Sequence, residues 1–393
     1  MNQSQPSLNA LSVEIITSIN DIAAADWDNL TDGTPLLSHA FLSALENSGS
    51  VGQGTGWNPH PLVVKQAGQL IGAMPLYLKS HSYGEYVFDW AWADAYQRSG
   101  LDYYPKLLSA IPFSPITSAR LLSRNHHTSF ADSNQVGVGK VLIEALETTM
   151  RQYKLSSAHV IFPDIECAQH LETAGWLKRT GVQFRWQNKN YEHFEDFLAT
   201  LSHDKRKKIH QERKKIVQAG VVCKQVKGVD ATECDWDFFY QCYSNTYREH
   251  HSTPYLTRAF FAEIGKTMPQ NILLIVAEID GQAIACTLNI YNQNTLYGRY
   301  WGATQFVSGL HFELCYYQAQ QFCIAENISY FEGGAQGEHK LARGFEPRPT
   351  CSYHKIAHPD FESAIKHFLI RESEGITAYT NELEERAPFK TLV

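Results

Sequence analysis

Leu62-Val-Val-Lys-Gln-Ala-Gly-Gln-Leu-Ile-Gly72 has a counterpart much further along the chain, Leu274-Ile-Val-Ala-Glu-Ile-Asp-Gly-Gln-Ala-Ile-Ala285. Each is a run of β-forming residues, a glycine turn (Gly68-Gln69, Gly281-Gln282) and a second β-run, which predicts a hairpin. A third strand is predicted after each, over 86–92 and 295–301. The parallel continues through a helix and a strand, 138–153 with 158–162 and 311–325 with 328–331. It closes on His170-Leu-Glu-Thr-Ala-Gly175-Trp176 and His339-Lys-Leu-Ala-Arg-Gly344-Phe345, each leading into a last β-run, 182–186 or 350–356. Each half therefore reads β-β-β-α-β-α-β, and tandem duplication of one unit is the simplest account. The first copy carries an insertion at about 93–133.

The length, 393 residues, exceeds what one core sustains, so two domains are expected, 1–190 and 191–393. A net charge of −7 means that the global field recruits neither nucleic acid nor an anionic membrane, so polyanion binding needs a local patch. The eight cysteines are scattered without a Cys-x-x-Cys pair, as expected of reduced thiols in a cytoplasm. No signal peptide and no membrane-spanning apolar run is read from the sequence. No His-Glu-x-x-His occurs, and the pairs His126-His127 and His250-His251 cannot each turn both rings to one metal, so no metal site is expected.

Chemistry concentrates in Phe331-Glu-Gly-Gly-Ala-Gln-Gly-Glu-His-Lys-Leu-Ala-Arg-Gly-Phe345. Its glycines permit close ligand approach or positive φ. Glu332, Glu338, His339, Lys340 and Arg343 supply acids, a tunable base and cations in one turn, although a polar surface loop has the same composition. Glu338 or His339 suits a general base and Tyr317 a proton donor, while Arg343 and Lys340 suit a carboxylate or phosphate. Glu313, Glu332, Gln336 and, in the first half, Asp89, Trp92 and Asp94 are candidate substrate-binding residues. On a helix starting near Gly309, Glu313 and Tyr317 align at i, i+4, whereas His311 is offset and reads as core.

Two further segments suit anions. Asn134-Gln-Val-Gly137-Val-Gly139-Lys140 opens a helix, where bare backbone N–H groups and the helix dipole favour phosphate, so Asn134, Gly137, Gly139 and Lys140 are candidate phosphate contacts, the place of the acyl-CoA pyrophosphate in the GNAT fold that the element order resembles. The second copy has Gln305-Phe-Val-Ser-Gly309 there, with one glycine. A basic helix is predicted over 203–219, begun by Ser202 and stopped by Gly220. Residues 204–215 hold seven Lys/Arg against two acids. Lys205, Arg206, Lys207, Lys208, Arg213 and Lys214 make it either a solvated face or a polyanion contact.

The element order is similar to that of the GNAT acetyltransferases. The segments 89–96, 103–107, 205–209, 252–255, 311–317 and 331–345 resemble the FemAB-like predicted N-acyltransferases, over about residues 37–358. One departure is Gly333, where proline is expected. The resemblance implies two tandem GNAT-like α/β (α+β) domains, each a mixed, largely antiparallel sheet flanked by helices. It implies an N-acyltransferase with acyl-CoA as co-substrate, no tightly bound cofactor, and a small-molecule or peptide amine as acceptor. An aminoacyl-tRNA-dependent transferase of Fem type, with tRNA on the 203–219 helix, and a non-catalytic binding protein on the same fold are the alternatives.

Overall fold

The computed structural model describes residues 11–124, 137–334 and 337–390. The chain divides into two compact units, 1–181 with 350–375 and 182–349 with 376–393. The first unit thus takes a segment expected in the second half. The reason is pairing: Ser352 to Ile356 of strand Glu346–Ile356 runs antiparallel to Ser157–Ile161.

In the first unit, Leu11–Ile15, Leu62–Gln66, Gln69–Met74 and Leu122–Ser123 form an antiparallel sheet in that order. The Ala67-Gly68 turn has φ of 50° and 81°, the doubly positive geometry that matches strand twist in a two-residue hairpin. A second run of strands joins Trp57–Pro59, Leu76–Lys79, Lys106–Ser109 and Ser157–Ile161, and only the last two pair in parallel. Helix Val138–Gln152 buries Leu142, Ile143, Leu146 and Met150 on Leu62, Val64, Met74 and Leu76.

The strand expected at 86–92 is instead a loop followed by helix Trp90–Arg98. The alternation Trp90-Ala-Trp92-Ala imitates a strand period. Burial follows the helical one, with Trp92 and Tyr96 inside at i, i+4 and Trp90 40% exposed.

In the second unit, Val221–Lys227, Ile272–Ile279, Gln282–Tyr291 and Thr295–Ala303 form an antiparallel meander. The Asp280-Gly281 turn repeats the positive φ pair, 51° and 78°. Strand Tyr330–Glu332 then lies parallel to Thr295–Ala303 and antiparallel to residues 185–187. Between these strands runs a helical segment in three parts: Leu310–Phe312, a π-helical stretch Glu313–Gln318, and Ala319–Ala325. Helix His203–Gln218 docks through Ile209 and Ile216. Among the described residues, no helix is long and apolar enough to cross a membrane.

Candidate active site

The two parallel strands of the second unit stay paired only from Thr295↔Tyr330 to Tyr297↔Glu332. Beyond that point Thr295–Ala303 continues while the other chain turns away at Gly333. The parting is a cavity of about 130 Å³, walled by Gly298 to Trp301, Phe331 and Gly333, with His311, Cys315 and Tyr316 from the helical segment and Thr287 and Asn289 from the neighbouring strand. Space for a side chain is tight at both lips. A Cβ on Gly298 would sit 3.1 Å from the Phe331 ring, and one on Gly333 2.8 Å from Phe345. Gly333 also donates its N–H to the Phe184 carbonyl at 3.1 Å, a bond that proline cannot make.

The register shifts between Leu288↔Tyr300 and Asn289↔Gly298, which leaves Arg299 as the extra residue of a β-bulge at the cavity wall. Bulges re-aim side chains beside ligand sites. Arg299 stands over the Tyr300 ring, its guanidinium carbon 5.2 Å from the centroid.

The π stretch decides which helical side chains reach the cavity. Residues five apart share a face there, so His311 and Tyr316 line the cavity together. Likewise Gln318 donates to Glu313 Oε1 at 2.8 Å. This corrects the i, i+4 pairing expected for Glu313 with Tyr317 and the core role expected for His311. Glu313 accepts from Arg213 at 3.0 Å, and the Tyr317 hydroxyl donates to Glu212. Arg343 also binds Glu212, at 3.0 Å, so the carboxylate it holds belongs to the protein. Those five side chains brace helix His203–Gln218 against the helical segment.

The Tyr316 hydroxyl and His339 Nε2 are 2.8 Å apart. Burial raises the Tyr316 phenol well above its usual range, so it is a neutral donor. Burial, then the charges of Arg343 and Lys340, lower the His339 imidazole. Burial, followed by His339, Arg343 and Lys340, brings His311 down to about 4. Lys340 is buried, brought down to about 8 by desolvation, and donates to the Gly334 carbonyl at 3.1 Å. Glu338 points elsewhere, to Arg386 at 2.8 Å and Tyr379 at 3.0 Å, and Arg386 holds its carboxyl below the usual range. Glu332, at the last paired position, accepts from Arg185 at 2.6 Å, and burial raises its carboxyl.

Sequence reasoning missed Tyr316, Arg299, Thr287 and Asn289. A one-residue phase change and a bulge leave no mark in composition. Gln336 and Asn134 lie outside the described residues, as do His126 and His127.

In the first unit the corresponding parting, after Ser109↔Val160, is filled by its own chain. Ser118 bridges to Pro163, and buried Arg120 donates to the carbonyls of Ile116, Ser118, Ala119 and Ile161. Asp89 is buried beside Lys106 and accepts from Tyr103 at 2.6 Å. Burial alone would raise its carboxyl, but Lys106 and His159 hold it below the usual range. Trp92 packs edge-on against His354, and Asp94 pairs on the surface with Arg98. Gly137 precedes helix Val138–Gln152, where a Cβ would make only an ordinary contact with Lys140 at 3.9 Å, whereas one on Gly139 would press on His170 at 3.2 Å. Lys140 faces Glu144 at 3.8 Å.

On helix His203–Gln218, the exposed face carries a groove of about 320 Å³ lined by His203, Arg206, Lys207, His210, Gln211 and Lys214. Lys205 is half-buried and Lys208 exposed, while Arg213 turns inward to Glu313. Among the described residues no group of His, Cys, Asp or Glu suits a metal ion.

No curated protein sequence matches the chain. The structure is similar to FemX, with a TM-score of 0.54 and 10% identity over 88% of this chain and 98% of that one. It is also similar to a protein of unknown function from Bacteroides thetaiotaomicron (TM-score 0.52, 12% identity, 88% and 100% covered). A tandem GNAT protein of the clavulanic acid pathway aligns at TM-score 0.47 and 12% identity over 89% and 99%. The fold is the tandem GNAT arrangement of mixed sheets and helices. The family model described as peptidoglycan biosynthesis/recognition matches residues 18–391, and the chain belongs to this FemAB-like family.

Proposed function

We propose that the second unit catalyses transfer of an acyl group from an activated carrier, a CoA thioester, to an amine. The observation that carries this reading is the parting of Thr295–Ala303 from Tyr330–Glu332 over a cavity lined by Tyr316 and His311. Strands that separate offer main-chain groups along an edge to an extended amide-bearing arm. The amine nitrogen attacks the acyl carbon, a C–N bond forms and the C–S bond breaks. Tyr316 gives its phenolic proton to the leaving sulfur. His339, exposed to water and bonded to Tyr316, restores that proton, and the nitrogen loses one to solvent. Atoms and charge balance as amide plus thiol.

Binding to the native state alone raises the melting temperature, so CoA should stabilise the protein. Gly298→Val, which sets a side chain against Phe331, should fold and lose that shift. A CoA shift unaltered in Gly298→Val would place the donor elsewhere.

A second reading has aminoacyl-tRNA as the donor, favoured by the cationic groove on helix His203–Gln218. It requires tRNA binding that weakens steeply with salt and that Lys207→Glu with Lys214→Glu abolishes. Absence of both the CoA shift and the tRNA binding would sink acyl transfer altogether.

A further inference from the structure

We infer that Arg343 is the positioning residue of the Tyr316–His339 pair: it ties down the turn that carries His339 and sets a fixed positive charge beside both side chains. The inference rests on the N-acyl transfer reading and adds a residue that acts through the pair without lining the cavity.

Arg343 is 3% exposed, and every neighbouring element grips it. Its Nη1 donates to the His339 carbonyl at 2.7 Å, within the turn Glu338–Arg343. Its Nη2 donates to both carboxylate oxygens of Glu212, at 3.2 and 3.0 Å, on helix His203–Gln218. The guanidinium carbon lies 3.4 Å from the centroid of the Phe312 ring, in the helical segment. The Arg343 carbonyl accepts from fully buried Gln320 at 2.8 Å. Phe312 in turn meets the His339 ring at 5.7 Å and the Tyr316 ring at 6.3 Å between centroids. The main chain and the ring of His339 therefore both rest on what Arg343 holds. Groups that exchange a proton work only within hydrogen-bond reach, so support of this kind decides whether the 2.8 Å contact with Tyr316 persists.

Charge is the second part. The guanidinium carbon stands 6.0 Å from the Tyr316 ring centroid. Burial and then Cys315 raise the Tyr316 phenol, and Arg343 opposes them. Burial lowers the His339 imidazole, followed by Arg343 and Lys340. A phenolate formed as Tyr316 protonates the leaving sulfur is stabilised by this cation, and an imidazolium beside it hands its proton back more readily. The Glu212 carboxylate offsets part of the charge and so sets how strongly the pair feels it. Among the other ionisable groups near His339 are His311, Tyr316 and Lys340, whereas Glu338 turns to Arg386. A brace alone would not call for an ion pair here, since apolar side chains of similar volume hold buried elements together as well.

The test is an NMR titration of the full chain with isotope-labelled histidine, without donor or acceptor. The His339 signal is assigned by its loss in His339→Asn. Arg343→Gln should raise the His339 titration midpoint by about half a pH unit or more, the effect of one unit charge at this range. Arg343→Lys, which keeps the charge, should stay near the parent midpoint. Glu212→Gln leaves the cation uncompensated and should move the midpoint down. Loosened packing has the opposite sign there, because water admitted to the site raises the midpoint. Should Arg343→Gln not fold, the near-isosteric Glu212→Gln decides. An unmoved midpoint in Arg343→Gln, an equal rise in Arg343→Lys, or a midpoint in Glu212→Gln that is unmoved or raised would overturn the inference. In turnover with acyl-CoA, Arg343→Gln should lower kcat by at least about tenfold at a KM within about twofold, the pattern of a misplaced catalytic pair rather than of lost substrate binding. The two readings fail separately. The expected midpoints in a protein that transfers no acyl group refute only the transferase, and transfer by a parent whose variants show unmoved midpoints refutes only the role of Arg343.

Discussion

The Tyr316–His339 contact makes a prediction that differs for neighbouring residues. Tyr316→Phe keeps the ring packing and removes a proton donor in the cavity wall that is raised well above its usual range and paired with a solvent-exposed base. Turnover should fall by about two orders of magnitude, and His339→Ala should fall comparably, since general acid–base groups contribute on that scale. Glu338→Gln should stay within about twofold of the parent turnover, because Glu338 spends both carboxylate oxygens on Tyr379 and Arg386 rather than on the cavity. Turnover by each variant under saturating donor is the measurement, and full activity in Tyr316→Phe would remove the proposed acid. His339 was legible in the sequence because it stands among glycines after a strand. Tyr316 was not, because Tyr317 beside it has the same chemistry and only the π phase separates them. Gly344 was legible as well: its φ of 82° and a Cβ position 2.6 Å from Phe197 leave room for no side chain.

At the scale of elements, the sequence carried the hairpins, the basic helix and the closing glycine corners, since each is written in turn residues or charge. It did not carry the π stretch or the helix Trp90–Arg98, where the local pattern favoured another period. Nor did it show that strands Ser157–Ile161 and Glu346–Ile356 are joined through side chains. His159 Nδ1 and His354 Nδ1 lie 2.7 Å apart, both fully buried, at a directly opposed pair. Burial, then Lys106, brings His159 down to about 3, and burial with His159 brings His354 well below its usual value. The sign follows from proton uptake: below about pH 6.5 the unfolded chain binds protons at both histidines that the native state refuses. Their stabilisation is therefore complete above that pH and is lost as pH falls toward the folded values. Glu85, raised by burial to about 7, acts oppositely between its unfolded value and 7, so the slope of the parent protein should be partly cancelled. His354→Asn removes one titrating group, and its stability should fall less steeply between pH 6.5 and 5 by up to about 1.4 kcal/mol per pH unit. Urea unfolding midpoints across that range measure it, and parallel slopes for the two proteins would contradict the assignment.

For the whole molecule, the repeat visible in the sequence is not the unit that folds. The chain leaves the first unit within Leu177–Gln187, returns within Glu346–Ile356 and leaves again within Pro359–Glu385. The repeat runs through the order of elements, but strand pairing and burial assign residues 350–375 to the first unit. The copies have also diverged in use. The first fills its strand parting with a loop fixed by Arg120, and the second keeps a cavity at the same topological place. A cut at the boundary suggested by the repeat should therefore fail for a definable reason. A 1–190 fragment lacks Ser352 to Ile356, so Ser157–Ile161 becomes an unpaired edge, and buried His159 loses the ring that satisfies its Nδ1. It also lacks Ile356, Ile365 and Leu369, which cover Trp92, Tyr96 and Tyr103. Exposing that aromatic cluster removes several side-chain burials of about 1.5–3 kcal/mol each, comparable in sum to the whole stability of a domain. The 1–190 fragment should show no cooperative thermal transition, whereas 1–181 joined to 350–375 through a flexible linker should regain one. Circular dichroism melts of the two proteins decide it, and a cooperative melt of 1–190 alone would show that the returning segment is dispensable to the first fold.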